Sequence, residues 1–395
     1  MKRDILVEST RLEMIQLCHS ALDSRTLRIE LLHHLQKVVP FSYAYFSTTD
    51  PATQFCTSSV LAENPPSWFM ALFLENEFMQ TDFNKFSDML RNHQKVSILS
   101  EATRHELHQS QRYREMLAPI KMEDELRVVF ASDAACWGIL CLHREQITAR
   151  YSPIEAAFVA QLAPHIAEGL RKALLLDNLP LAQTPDGPGV LLLAEDLSII
   201  TMTAAAEYWL LELMDSEMGV KSPLPPAVRS VVAGLQALEC GLVNSTPKVR
   251  LRTRLGHWLV LYASRLRQSQ SQAHITVIFE IAQPTEIAPL IMQAYHLTRR
   301  EREIAQCVVS GWSTTEIAAK LHISSHTVQD HLKAIFEKVD VRSRRELAGR
   351  IFTQQYQPHF LAGAPLDTSG RLTSLDQTSS ERRTAPSQTS DEPRS

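Results

Sequence analysis

The sequence predicts a multidomain protein: an α+β unit, a second α+β unit, and an all-α C-terminal module of four short helices. Three observations predict this. Residues 1–178 run in the order helix, strands, helical insertion, hairpin, closing helix. A Pro- and Gly-rich stretch, NLPLAQTPDGPG, separates them from a second series of alternating strands over 188–283. Beyond it, residues 297–358 hold three Ser/Thr-x-x-Glu boxes, each opening an apolar run at helical spacing. A chain of 395 residues, 44% hydrophobic and 21% charged, is long enough for two to four such units, each with its own core.

Residues 5–38 read as one helix whose apolar face is Leu27, Leu31, Leu32 and Leu35, with His33 and His34 beside it and no carboxylate or cysteine to complete a ligand set. Residues 41–48 and 54–61 are β-branched and aromatic, and the Asp50-Pro51 step between them is a turn signal, so they read as neighbouring strands. Residues 66–86 carry Trp68, Phe69, Phe73, Phe78, Phe83 and Phe86. They read either as a helix packed on the sheet or as the wall of a small-molecule pocket, with Trp68 and Phe73 as apolar lining and Gln80 and Asp82 as its polar groups. A helical segment over 101–117 precedes a hairpin of 125–131 and 135–143 closed through Ser132-Asp133-Ala134-Ala135. Ser152, Pro153 and Glu155 then open a long helix that runs to Leu176.

In the second unit, 190–194 and 197–203 pair about Glu195-Asp196, and Thr203 caps a helix bearing Tyr208, Trp209, Leu210 and Leu213. A helix over 226–238 follows, then strands over 248–254, 257–265 and 273–281. In the first of these, Val249, Leu251 and Thr253 face one way and Arg250, Arg252 and Arg254 the other. That arginine row reads as a solvated sheet face or as a phosphate-binding patch. Residues 284–296 place Ile287, Leu290, Ile291, Ala294 and Tyr295 on one helical face and join the second unit to the last. Two such helices packing in a dimer would act as a lever.

Across 297–358 the helix starts are Thr298 with Glu301, Ser313 with Glu316, Ser324 or Ser325, and Ser343 with Glu346, and Gly311 closes the first helix. The third helix buries Val328, Leu332, Ile335, Phe336 and Val339 and leaves His326, Gln329, Asp330, Lys333 and Glu337 on the opposite face. That face can exchange hydrogen bonds with base edges in a major groove or simply be solvated. From 298 to 356 ten Lys and Arg stand against seven Asp and Glu, an excess of three positive charges in a chain whose net charge is −4. Residues 361–395 are Ser/Thr-rich with few large apolar side chains, and are expected to be disordered.

The motifs LTRRE, Gly311, Ser313 to Ala318, HTVQDHLKAIF and KVDVRSRREL together resemble the LuxR-type helix-turn-helix domain of bacterial transcriptional regulators, over about sixty residues. The resemblance implies double-stranded DNA as ligand, a homodimer on half-sites about one turn (~34 Å) apart, and RNA polymerase as a partner. It implies Gln329, Asp330 and Lys333 at base edges, and Thr327, His331, Lys338, Arg342, Ser343 and Arg344 near the phosphate backbone. Two residues depart from the pattern. Asp340 stands where many members have Gly, and Asp330 is an acid on the reading face. ELRVVFASDAACWGILCLHRE followed by YSPIEAAFVAQLAPHIAEGLRKALL resembles a GAF-type sensory domain, which implies a ligand pocket, and the hairpin, helices and three strands of 188–283 resemble a PAS-type domain.

No repeated βα alternation builds a receiver domain, and Trp68 to Asp82 only faintly resembles an acyl-homoserine-lactone pocket. There is no GxSxG, Walker loop, HExxH or GxGxxG, which leaves Cys136 as the one candidate nucleophile of a thiol-dependent enzyme. A helix-turn-helix acting mainly on protein partners remains the alternative to DNA. The six cysteines form no CxxC, so neither a disulfide framework nor a metal site is expected. As strand residues five apart, Cys136 and Cys141 should point to opposite faces. No cofactor is implied beyond an unidentified small molecule. Without an apolar run of about eighteen residues or a signal-peptide core, the chain is expected in the cytoplasm with no membrane contact.

Overall fold

The computed structural model describes residues 2–351 except 64, 67, 133–134, 146–149, 177–183, 186, 215–223, 245 and 267–273. The hairpin turn at 133–134, much of the linker, the end of the C-terminal module and the tail therefore lie outside the described residues.

The first helix expected from the sequence is two, α1 (Lys2–His19) and α2 (Ser24–Gln36). Asp23 divides them, because its carboxylate accepts from the Arg25 and Thr26 amides and starts a new helix. β1 (Tyr43–Thr49) and β2 (Cys56–Leu61) pair antiparallel as the turn signal predicts. The aromatic stretch folds as α3 (Phe69–Met79) and leads into α4 (Phe86–Arg91). A short strand, β3 (Val96–Ile98), and a single turn, α5 (Leu99–Ala102), follow, neither of which has a periodic signature.

The helical part expected over 101–117 forms as separate short pieces rather than one continuous helix. Arg104 and His105 adopt left-handed backbone, which ends α5, and the chain continues through a 3₁₀ turn at Leu107–Gln109 and a π turn at Tyr113–Leu117. β4 (Met122–Ser132) and β5 (Ala135–Glu145) form the long hairpin. α6 (Pro153–Leu175) opens with the Ser152–Glu155 capping box. The sheet runs β2-β1-β5-β4-β3, all antiparallel.

The second sheet is built from β6 (Gly189–Leu193), β7 (Ile199–Met202), β8 (Lys248–Arg252), β9 (Trp258–Leu266) and β10 (His274–Ile281), in the order β7-β6-β10-β9-β8. Counted within its own unit, this is the strand order of the first sheet. Among the described residues, two helices lie between its hairpin and its last three strands. They are α7 (Ala204–Leu213), capped by Thr203, and α8 (Pro226–Glu239).

The two units do not keep separate cores. Phe55, from the β1–β2 turn, is buried in the core of the second sheet, where a Cβ at position 234 of α8 would overlap its ring, so only glycine fits there. Two members of the arginine row face the first unit rather than open solvent, and only Arg254, in the turn after β8, is exposed. Arg250 is clamped to Asp50, whose carboxylate accepts from its backbone amide at 2.9 Å, its Nε at 3.0 Å and its Nη2 at 2.6 Å. Arg252 donates from Nη1 to the Leu174 carbonyl at the end of α6. Long side chains alternating on a strand can as well dock a neighbouring unit as face water.

α9 (Pro284–Ala294) carries the connector stripe, and its direction corrects the expected dimer lever. Ile287, Leu290, Ile291 and Ala294 are buried in one cluster with Ile166 and Leu170 of α6 and with Trp258 and Val260 of β9, all of this same chain. An apolar stripe says that a helix is covered, not by what. The Gln283–Glu286 box opens α9, and Glu286 also accepts from the Tyr262 hydroxyl at 2.7 Å.

The C-terminal module is α10 (Arg299–Val309), α11 (Thr314–Leu321), α12 (Ser325–Val339) and a helix over 344–351, α13. Among the described residues no helix is long and apolar enough to cross a membrane.

Candidate nucleic-acid interface

α11 and α12 form the helix pair that presents the candidate surface, and each start is chemically marked. Thr298 and Ser313 make complete capping boxes with Glu301 and Glu316, and Ser324 caps α12 by accepting from the Thr327 amide at 3.0 Å. Ser343 accepts from the Glu346 amide at 3.1 Å, and Glu346 reaches back to the Arg342 amide at 2.8 Å. Gly311 takes a positive φ of 83° just past α10, as its place in the sequence requires. The α11–α12 turn pivots on His322, which adopts left-handed backbone and ends α11.

One face of α12 closes the module's core. Val328, Leu332, Ile335 and Val339 pack with Ile304, Ala305, Ile317, Ala318, Leu347 and Ile351, and Ala288 and Met292 of α9 complete the cluster, so the module sits directly on the connector. The other face carries Gln329, Asp330 and Lys333, all exposed. Among the described residues Gln329 and Lys333 make no hydrogen bond or ion pair, whereas Asp330 lies 3.0 Å from the His326 Nδ1 one turn earlier.

The residues expected near phosphate divide into two groups. Arg342 is exposed, and His331 is half-buried on the flank of α12. The Thr327 hydroxyl sits 2.9 Å from Ser324 Oγ, and Ser343 is occupied as a cap. Half-buried Arg344 and exposed Lys338 are both bonded to other parts of the chain. Arg344 donates to the Trp312 carbonyl at 2.8 Å and to Thr314 Oγ1 at 2.7 Å, tying α13 to the start of α11. Lys338 donates to Glu301 Oε2 at 2.6 Å and to the His296 carbonyl at 3.2 Å. Burial opposes ionisation of Glu301, but the hydrogen bond from Lys338 and the capping bonds hold its carboxyl below its ordinary range.

Sequence reading missed a chain of contacts around His296, because they join residues far apart in sequence. His296 Nε2 lies 2.8 Å from Glu168 Oε2 on α6, so the first unit touches the joint between α9 and α10, and Lys338 carries that contact to α12. Arg300 adds a second brace by donating to the Leu321 carbonyl at 2.7 Å.

Asp340 ends α12 in left-handed backbone at φ 55°, a conformation that glycine adopts without the strain a Cβ brings. Asp340→Gly should therefore stabilise the module by about 1 kcal/mol, read as a higher unfolding midpoint of the full chain. An unchanged or lower midpoint would show that the Asp340 side chain compensates for its backbone.

The expected pocket residues do not gather around one cavity. A cavity of about 380 Å³ lies between the first sheet, α3 and α8, with Phe73, Phe55, Phe78, Phe86 and Ile139 in its walls, and Trp68, Gln80 and Asp82 are not among them. Trp68 is 39% exposed, and Gln80 bonds to Glu75 and Asn76. Asp82 accepts from Asn76 Nδ2 at 2.9 Å and from the Arg112 amide at 2.7 Å. It belongs to a buried charge network in which Glu125 accepts from Arg112 Nε at 2.9 Å and lies 3.1 Å from Arg127 Nε and 3.2 Å from His143 Nε2. A polar residue in an aromatic segment signals burial with partners as readily as contact with a ligand.

Cys136 and Cys141 both face this α3 side, against the expectation from strand alternation. The β4–β5 register shifts beside Cys136, which pairs with Ala131 while Gly138 pairs with Phe130, and the extra residue, Trp137, turns the strand over. Cys136 is buried, and burial pushes its thiol up to about 11, the direction opposite to an activated nucleophile. Among the described residues no group of three His, Cys, Asp or Glu could hold a metal.

Residues 295–350 match the family model described as bacterial regulatory proteins, luxR family. A putative HTH-type transcriptional regulator of Aeromonas salmonicida is 36% identical over 95 residues, 22% of this chain and 48% of that one, so the match spans about half its length. The spore germination protein GerE of Bacillus subtilis is 40% identical over 50 residues, 13% of this chain and 68% of that protein. Among solved structures, the GAF domain of a GAF/HD protein from Geobacter sulfurreducens overlays 40% of this chain and 97% of its own at 16% identity, with a TM-score of 0.30, too low to fix a fold. With the motif, the capped helix pair and a relative covered over two thirds of its length in agreement, this chain belongs to the luxR family of bacterial regulatory proteins.

Proposed function

We propose that the protein is a sequence-specific DNA-binding transcriptional regulator, working in the cytoplasm as a one-component sensor. The observation that carries this is the exposed polar face of α12, held outward by the core beneath it, with Gln329 and Lys333 unbonded among the described residues. Gln329, Asp330 and Lys333 read base edges in the major groove, and Arg342 with the amides at the start of α12 engages phosphates. Residues 1–178 act as a GAF-like unit and 188–283 as a PAS-like unit, with the shared strand order supporting kinship between them. A small molecule bound there biases the reader through α6, His296 and Lys338. The protein binds as a homodimer through a surface other than the buried stripe of α9, and acts on RNA polymerase from the bound site. It carries out no catalysis.

The test is selection of bound duplexes from a random DNA library by the full-length chain. The expected result is one enriched motif with two-fold symmetry and affinity that falls steeply with salt. Recovery of no motif at low salt would overturn the proposal.

A further inference from the structure

A second cavity, of about 300 Å³, lies where α2, the β1–β2 pair and the end of α6 meet β8, and five arginines line it: Arg25, Arg28, Arg250, Arg252 and Arg254. Two aspartates line it with them, Asp23 and Asp50, which leaves the wall with three more positive than negative groups in a protein of net charge −4. Both carboxylates are already engaged. Asp50 is taken up by Arg250 and by the Ala52 amide at 3.0 Å, and Asp23 by the first amides of α2 and the Thr26 hydroxyl at 2.6 Å.

The arginines are also held in place. Arg28 is fully buried and donates to the Phe46 carbonyl at 3.1 Å and to the Ser58 carbonyl and hydroxyl at 3.0 and 2.9 Å. Arg250 is fixed by Asp50 and by the Glu286 carbonyl at 3.0 Å. Arg254 differs from these. It is exposed, lies in the turn after β8 at the cavity wall, and makes no hydrogen bond or ion pair among the described residues. Trp137 and Leu290 contribute apolar wall to the same cavity.

We propose that this cavity binds a small organic polyanion, a phosphate ester or a polycarboxylate, with its oxyanions against the arginines and its carbon body against Trp137 and Leu290. Arg28 and Arg250, with their donors engaged inside the protein, fix a positive wall, and Arg254 supplies the guanidinium whose paired donors match carboxylate or phosphate oxygens. The site joins residues of both sheets to the connector, because Leu290 lies on α9. The inference does not depend on DNA binding, and its test involves no DNA.

The experiment measures thermal unfolding of the full-length chain in rising pyrophosphate and, separately, rising citrate, each against sodium chloride at matched ionic strength. A saturable rise in midpoint beyond the chloride control is expected, with the stronger anion identifying the ligand as phosphate or carboxylate in kind. Arg254→Ala should weaken that anion at least tenfold without moving the ligand-free midpoint. Arg299→Ala, a 91% exposed arginine far from the cavity in sequence, should leave binding unchanged. No rise beyond chloride with either anion would overturn the proposal, as would equal binding by wild type and Arg254→Ala.

Discussion

Replacing Glu125 with alanine should lower the stability of the full chain by about 3–5 kcal/mol, the cost of leaving buried charges without their partner. Glu125 sits between Arg112, Arg127 and His143, and all four side chains are almost fully buried. Arg127 also stacks over Phe86 at 4.6 Å and lies 2.8 Å from Glu77 Oε2. Removing Glu125 leaves two buried guanidinium groups short of one carboxylate, and the aromatic layer offers no replacement. Glu125→Gln keeps the shape and one acceptor and should cost less. The check is denaturant unfolding of wild type and both variants, and a loss below about 1 kcal/mol for Glu125→Ala would mean that water or Glu77 takes over its role.

The same residue predicts a pH dependence. Burial alone would raise the Glu125 carboxyl, but Arg112 first and then Arg127 and His143 hold it well below the ordinary carboxylate range. A depressed folded pKa gives stability that is complete above the unfolded value of about 4.3 and is lost as pH falls toward the folded value. The gap between wild type and Glu125→Gln should therefore be constant from neutral pH down to about 5 and shrink below about 4.3. A gap that widens in acid would reverse the sign and refute the ionised state.

Elements with local chemical signatures were legible in the sequence. The Thr298, Ser313 and Ser152 boxes, the Thr203 cap and the Gly311 turn each depend on residues within three or four positions of one another, and all lie where the spacing put them. Features set by distant residues were not. The stripe on α9 is apolar by its spacing, but that α6 and β9 cover it depends on how two sheets meet. The arginine row of β8 alternates as a strand should, yet its partner Asp50 is two hundred residues away. Cys136 changed faces because of a single bulge, which shifts the period-two pattern without altering any local propensity. For the reading surface, the exposed face of α12 followed from its 3.6-residue period, whereas the internal bonds of Lys338 and Arg344 did not, since a basic side chain near a helix end looks the same whether it meets phosphate or a carbonyl.

That last distinction predicts different consequences for substitutions one helix turn apart. Lys333→Ala and Gln329→Ala should each remove about 1–3 kcal/mol of discrimination at one base position, about a five- to 150-fold change in preference, with little effect on folding because both side chains are exposed. Arg342→Ala should weaken all sequences alike and reduce the salt slope by about one unit. Lys338→Ala should act on the module itself. It strips the mostly buried Glu301 of its cation and frees the His296 carbonyl, so its main effect is a lower unfolding midpoint, with loss of DNA affinity following from a displaced α12. Binding of each variant to a panel of single-base changes, alongside thermal unfolding, separates the three roles. If Gln329→Ala weakens every sequence equally, α12 meets DNA through a different face. If Lys338→Ala keeps the wild-type midpoint while losing affinity at all sites, Lys338 releases Glu301 and contacts phosphate when DNA is bound.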